Sequence, residues 1–439
     1  MATETMSGPV IIDLGLDRGE PETYRSPTRR TVPNWFGPLL VAALVLVTSF
    51  SSAAPPPPAL APLLTVPIGA TDSYAVTDSG QLLAQSLGTL SSYDLGTGRL
   101  RWRAGAMAPI YRPRINSGVV LLRRWDNGPD GPSTLAISEA TGRSAWRHRG
   151  SVVAITGSPV LLSVNGVRSL SGSGRRVEGD VRAVDPVTGA IRWTVHVPST
   201  AVLMGVPGPP GAPTRMLLVH DDRTLAVHDL GTGRMLARAS IPPADYAPDN
   251  PTISGGLIVL RHQLPWGSDE VSAYDPVTLN LVWARPAGGA ELVEPCGRLT
   301  CLAGPYGVQA IDPSDGRQQW YRPGWRGVEE RGRLLIAYGP DAGGTDPVGL
   351  ADPNTGKVLV DLHGWRPLDG LGRDGRLLVT RLIDAGTRTI VAVADPGDAQ
   401  PRPLADLPPG TGDCQAAPDR LICRSGAGEL NVWAYRQDS

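Results

Sequence analysis

The stretch that decides the fold is Ala183-Val184-Asp185-Pro186-Val187-Thr188-Gly189-Ala190-Ile191-Arg192-Trp193. It reads as an apolar strand ending in Asp, a short turn closed by Thr-Gly, and a second strand with Trp four residues past the Gly. The same phrase recurs as Asp94-Leu95-Gly96-Thr97-Gly98 with Trp102, as Ser138-Glu139-Ala140-Thr141-Gly142 with Trp146, and as Asp229-Leu230-Gly231-Thr232-Gly233. It continues as Asp275-Pro276-Val277-Thr278 with Trp283, as Asp312-Pro313-Ser314-Asp315-Gly316 with Trp320, and as Asp352-Pro353-Asn354-Thr355-Gly356, with a worn copy at Asp395-Pro396-Gly397-Asp398. The step is roughly 43 residues, the length of one small sheet that cannot bury both its faces alone.

The turn has a local chemical reason. Asp and Thr side chains cap backbone N–H groups in a tight turn, and Gly supplies positive φ. The Trp that follows is a large apolar plate with one N–H to satisfy, suited to packing between neighbouring sheets. Around each turn the apolar runs are short, as in Val202–Val206, Met216–His220, Leu225–Asp229 and Met235–Ala239, which predicts four-stranded antiparallel blades.

The repeat resembles the pyrroloquinoline-quinone-type propeller repeat, Ala-x-Asp-x-x-Thr-Gly-x-x-x-Trp, which residues 183–193 match at every specified position. The resemblance covers about residues 65–439 and implies an all-β propeller of about eight blades, although nine units are countable. The last unit, ending Leu430-Asn431-Val432-Trp433-Ala434-Tyr435, is expected to close onto the N-terminal strand Leu63–Pro67. Several copies depart from the pattern: Ser138 stands for Asp, Leu279 for Gly, and Ala237 and Val360 for Trp.

Composition bounds the rest. Net charge is -1, so no global field draws the chain to nucleic acid. Lys357 is the single lysine, a bias of the kind a GC-rich bacterial genome produces. The sequence divides into a polar tail (residues 1–34), an uncharged apolar run from Trp35 to Ala54, a Pro/Ala-rich linker (55–62) and the repeats (63–439). The apolar run has the length of a single membrane span, with Arg25, Arg29 and Arg30 before it and no charge after it until Asp72. The positive-inside rule then puts the tail in the cytoplasm and the propeller outside. The alternative is a secreted propeller released by signal cleavage near Ser51-Ser52-Ala53.

Catalytic constellations are weak. The six His residues are scattered, and no nucleophile elbow or phosphate-binding loop occurs. The resemblance implies one enzymatic alternative, a quinone-dependent oxidoreductase holding pyrroloquinoline quinone and calcium. That enzyme class usually carries adjacent disulfide-bonded cysteines, and this chain has no Cys-Cys pair. Its four cysteines, Cys296, Cys301, Cys414 and Cys423, flank predicted first-to-second-strand turns, which favours two hairpin disulfides over a zinc site.

The favoured reading is therefore a membrane-anchored, extracytoplasmic binding scaffold without a cofactor, taking a protein or cell-envelope partner. In repeat type it is similar to the assembly-factor propeller lipoproteins of bacterial outer membranes. Long insertions fall at Trp125–Ser133, Ser169–Asp180, Ile241–Asn250, Gln263–Glu270 and Pro340–Asp346, all on the face opposite the Asp-x-x-Thr-Gly turns. Arg and aromatic residues expected on that face are Tyr111, Arg112, Trp125, Tyr246, Trp266, Tyr321, Arg322, Trp325, Arg326, Trp365 and Arg366.

Overall fold

The computed structural model describes residues 33, 35–51, 59–69, 71–105, 113–124, 133–155, 158–169, 174–209, 214–242, 249–340, 346–372 and 375–435. It forms two units, Met1–Pro57 and Pro58–Ser439. In the first, a 16-residue helix covers Phe36–Ser51. At 1.5 Å per residue it is about 24 Å long, shorter than the span expected from Trp35 to Ala54. No helix among the described residues is long and apolar enough to cross a membrane.

The second unit is a propeller of antiparallel blades. Blade 1 comprises Tyr74–Val76, Gln81–Ser86, Thr89–Asp94 and Leu100–Ala104; blade 2 runs from Arg114–Asn116 to Ser144–Arg149. Blades 5, 6, 7 and 8 begin at Asp249–Ser254, Leu292–Cys296, Gly327–Arg331 and Arg366–Pro367, each a separate four-stranded sheet. Blades 3 and 4 form one seven-stranded sheet, because the 16-residue strand Ile191–Val206 serves both. Its first half pairs with Gly179–Val184 as the fourth strand of blade 3, and its second half pairs with Arg215–His220 as the first strand of blade 4. Counting that shared strand twice, the described residues make nine blades. These correspond to the nine units countable in the sequence, and a continuous strand replaces the connection that would separate blades 3 and 4.

Blade 9 closes the ring. Thr411–Ala417, Arg420–Ser425 and Glu429–Tyr435 supply three strands, and Leu60–Pro67 from the chain's beginning supplies the fourth, paired from Leu60 opposite Tyr435 to Pro67 opposite Glu429 with a register shift between Pro62 and Leu64. A buried cluster lies between each successive pair of blades. One joins blades 9 and 1 through Val66, Leu82, Ile422 and Val432. Another joins blades 7 and 8 through Ile336, Leu350, Val379 and Ala392.

The repeat residues make these joints. In the turns that keep both residues, the Asp carboxylate accepts from the Thr that follows: Thr232 N and Oγ1 both reach Asp229 Oδ1 at 2.8 Å. These hydrogen bonds hold the Asp229 and Asp275 carboxyls below the usual range, with the Thr232 side chain and the Thr278 backbone N–H as the respective leading causes. Each repeat Trp then donates its indole N–H to the next blade, always to the carbonyl one residue past the turn's Asp position. Trp102 reaches Glu139 O at 2.8 Å, Trp146 reaches Pro186 O at 2.8 Å, and Trp193 reaches Leu230 O at 2.9 Å. Trp320 does the same to Pro353 O at 2.9 Å. The turn's Gly lies flat on that indole: a Cβ on Gly189 would sit 2.6 Å from Trp146, and one on Gly356 would sit 2.8 Å from Trp320.

Two departures from the repeat explain each other. Blade 4 has Ala237 where Trp is usual, and the turn it faces, in blade 5, has Leu279 where Gly is usual. Leu279 takes a left-handed φ of 57° and is buried in the cluster that includes Ala237. The leucine fills the volume the missing indole leaves. Ala237→Trp alone should destabilise the propeller by about 1–3 kcal/mol through overpacking. Adding Leu279→Gly should recover most of that loss, giving a favourable coupling of about 1–3 kcal/mol in a denaturation double-mutant cycle. Additive effects would contradict the pairing.

Candidate ligand-binding face

Second-to-third-strand turns and the connections between blades emerge on one face of the propeller. On it, blades 7, 8 and 9 enclose a cavity of about 410 Å³. His363, Trp365 and Arg366 enter from the connection between blades 7 and 8, Thr380 and Leu382 from blade 8, and Asp413 and Cys414 from blade 9. The connection is shaped by Asp361, whose Oδ1 accepts from the His363 backbone N–H at 3.0 Å and lies 2.5 Å from His363 Nδ1. The backbone bond, with the ring contact second, holds the Asp361 carboxyl below its ordinary value. Arg381 stands 5.8 Å over the Trp365 ring, and a Cys414–Cys423 disulfide ties the first two strands of blade 9 beside the cavity. The second disulfide, Cys296–Cys301, staples the first hairpin of blade 6.

The residues singled out in the sequence fall into different places. Trp266 is 75% exposed at the tip of blade 5, and Arg366 is exposed on the cavity rim. Tyr321 is 41% exposed. Arg326 is half-buried, its backbone N–H donating to Tyr338 O at 2.9 Å. Trp325 and Trp365 are not free loop aromatics: they are 7% and 9% exposed and pack in the clusters between blades 6 and 7 and blades 7 and 8. Arg322 also belongs to the scaffold. Two residues past Trp320 on the same strand, it donates to Gly356 O at 2.7 Å and Thr355 O at 3.2 Å, so it clamps the neighbouring turn. Tyr111, Arg112, Trp125 and Tyr246 lie outside the described residues. The interval Ser169–Asp180, expected as loop, is largely strand, since Leu161–Ser169 and Arg175–Val184 form a long hairpin.

One group has no sequence signal. Glu294 and Glu329 stand on the first strands of blades 6 and 7, which lie side by side. Burial, opposed by the Val328 backbone N–H and reinforced by Glu329, pushes the Glu294 carboxyl up to about 7. Glu329 is bridged to Arg331 at 2.7 Å and accepts from the Tyr338 hydroxyl at 2.7 Å. Glu294 Oε2 is buried without a hydrogen-bond partner.

Among the described residues no cluster of His, Cys, Asp or Glu is arranged to hold a metal ion. Both disulfides link cysteines within hairpins, separated by 5 and 9 residues, not adjacent ones. The described residues of this face offer cavities with polar rims.

The family described as outer membrane protein assembly factor BamB matches residues 65–177 and 177–333. The chain belongs to that family. Comparison with curated proteins finds no match. Among solved structures, the chain is similar to BamB from Moraxella catarrhalis, at 13% identity over 86% of this chain and 100% of that one, with a TM-score of 0.42. It is also similar to quinohemoprotein alcohol dehydrogenase ADHIIG from Pseudomonas putida HK5, at 13% identity over 64% of this chain and 72% of that one, TM-score 0.36. For the Dos1 propeller the values are 12% identity, 85% and 95% coverage, and a TM-score of 0.44.

Glu294 sets a pH dependence. Its carboxyl titrates near 7 when folded against 4.5 when unfolded, so the folded state holds the extra proton between those values. Its contribution favours folding below pH 4.5 and is lost as pH rises through about 7. Glu294→Gln should therefore gain melting temperature relative to the parent as pH is raised from 4.5 to 7.5. A pH-independent difference between the two proteins would contradict this.

Proposed function

We propose that the protein is a non-catalytic binding scaffold that docks a protein or cell-envelope ligand on the long-loop face, centred on the cavity between blades 7, 8 and 9. In this reading the apolar segment 35–54 anchors it to the cell membrane with the tail in the cytoplasm and the propeller outside, consistent with the Arg residues before that segment and the uncharged linker after it. The observation that carries the docking role is the cavity itself. Its polar side chains come from three blades, among them His363, Arg366, Thr380 and Asp413.

Leu382 is 54% exposed on the cavity wall. Full-length protein solubilised from its own envelope should retain a specific partner, and Leu382→Glu should lose it without a change in melting temperature. Undiminished capture by Leu382→Glu, or stoichiometric uptake of pyrroloquinoline quinone with calcium and alcohol oxidation, would overturn the reading.

A further inference from the structure

Three arginines meet at the long-loop end of blades 2 and 3. Arg114 opens the first strand of blade 2, and Arg123 lies near the end of its second strand, Val119–Arg124. Arg114 pairs with Leu121, so Arg123, two residues further on, is its diagonal neighbour on the same face of the sheet. Arg175 opens the third strand of blade 3, whose first three residues pair with residues 201–203. That pairing carries it past the body of blade 3, since Leu203 also pairs with Leu218 of blade 4. Arg175 is half-buried and stands in the fields of Arg114 and Arg123 together. Burial first, then those two charges, brings its guanidinium down to about 10, so it is still a cation at neutral pH. Partial burial, then Arg123, lowers Arg114 as well. Among the described residues no carboxylate is in ion-pair reach of Arg114 or Arg175. The carboxylates close by in sequence are taken: Asp180 by Arg182 at 2.8 Å and His196 at 3.0 Å, and Asp221 by Arg176 at 3.3 Å. Bringing like charges together and partly out of water costs free energy. For Arg114 and Arg175 no described carboxylate offsets it.

We propose that Arg114, Arg123 and Arg175 bind the phosphoryl group of a phosphate ester. Guanidinium groups present planar donor forks that match phosphate oxygens. A phosphate monoester brings three acceptor oxygens and a charge of roughly −1.5 to −2, which answers three cations arriving from three strands. A carboxylate brings two oxygens in one plane and a single charge, and so leaves part of the cluster unanswered. Arg176 is the contrast within the same strand: it has its own carboxylate in Asp221 and needs no ligand. The phosphoryl chemistry admits two sources, a soluble phosphate ester and a lipid headgroup. The site is separate from the cavity of blades 7, 8 and 9 and does not rest on the reading of that cavity.

The test is equilibrium dialysis of radiolabelled inorganic phosphate against the full-length chain in nonionic detergent at neutral pH. Saturable, stoichiometric binding is expected, and it should weaken as salt rises. Arg175→Gln should weaken it at least about tenfold without melting below the parent, because a repulsion is relieved. Arg114→Gln, at the exposed rim, should do the same and serves as the second variant if Arg175→Gln does not fold. Arg175→Lys keeps the charge but loses the fork, and should fall between Arg175→Gln and the parent. Arg176→Gln removes the same charge one residue along and should leave binding unaltered, as should Leu382→Glu. Displacement by glycerol 3-phosphate supports the site with a soluble ester as its source. Displacement only by dihexanoyl phosphatidic acid in the micelles supports it with a lipid headgroup as the source. No saturable binding, equal losses in Arg176→Gln and Arg175→Gln, or acetate displacing phosphate as well as either ester does, would overturn the proposal.

Discussion

An indole N–H that donates across a blade boundary, to a carbonyl fixed one residue past the neighbouring turn's Asp position, is the contact on which the rest of the propeller depends. It joins two requirements at one point. The turn must place its carbonyl and its Gly face together, which the Asp–Thr cap arranges, and the plate beneath must be flat and carry a donor. A single sheet has no way to bury its faces, so the joint between sheets decides the fold. The same joint explains the Arg two residues past Trp in blades 5 and 6. Arg285 and Arg322 each reach the carbonyl of the next turn's Gly, adding a charge-assisted hydrogen bond to the indole contact.

Where the joint is modified, its partner changes with it. Ala237 faces Leu279 across the boundary between blades 4 and 5. At the ring closure there is no preceding turn, because the fourth strand of blade 9 comes from the start of the chain. There Leu63 takes the place of the indole, with its carbonyl oxygen 3.0 Å and its side chain 3.4 Å from where a Cβ on Gly98 would be. The short turns on one side carry the joints, and the opposite side is left to cavities and loops.

Much of this was legible in the sequence because turns with positive φ and Trp at fixed offsets leave a direct residue signature. The strands predicted at Met216–His220, Leu225–Asp229 and Met235–Ala239 appear within a residue of their places. Nine units were countable, but the joining of blades 3 and 4 into one sheet was not legible. The strand Ile191–Val206 runs through the point where a connection is expected, and an apolar run does not reveal that its second half pairs with both Arg175–Val177 and Arg215–His220. Residue type also misled at Trp325 and Arg322. Aromatic and Arg residues serve joints and surfaces equally well, and only burial and hydrogen-bond partners separate the two uses. Glu294 gave no signal, since its role arises from the approach of two blades and not from local spacing.

The central claim is that the turn glycines are required by the indole beneath them as well as by their φ. Gly356, at φ 61°, and Gly80, at φ 74°, share the left-handed conformation, but a Cβ on Gly356 would meet Trp320 at 2.8 Å while one on Gly80 would meet nothing within 4 Å. Chemical denaturation of Gly356→Ala and Gly80→Ala isolates the collision from the backbone strain common to both. Gly356→Ala should be the less stable by about 1–3 kcal/mol. Equal losses would show that backbone conformation alone explains the glycine and that the indole lock does not carry the ring.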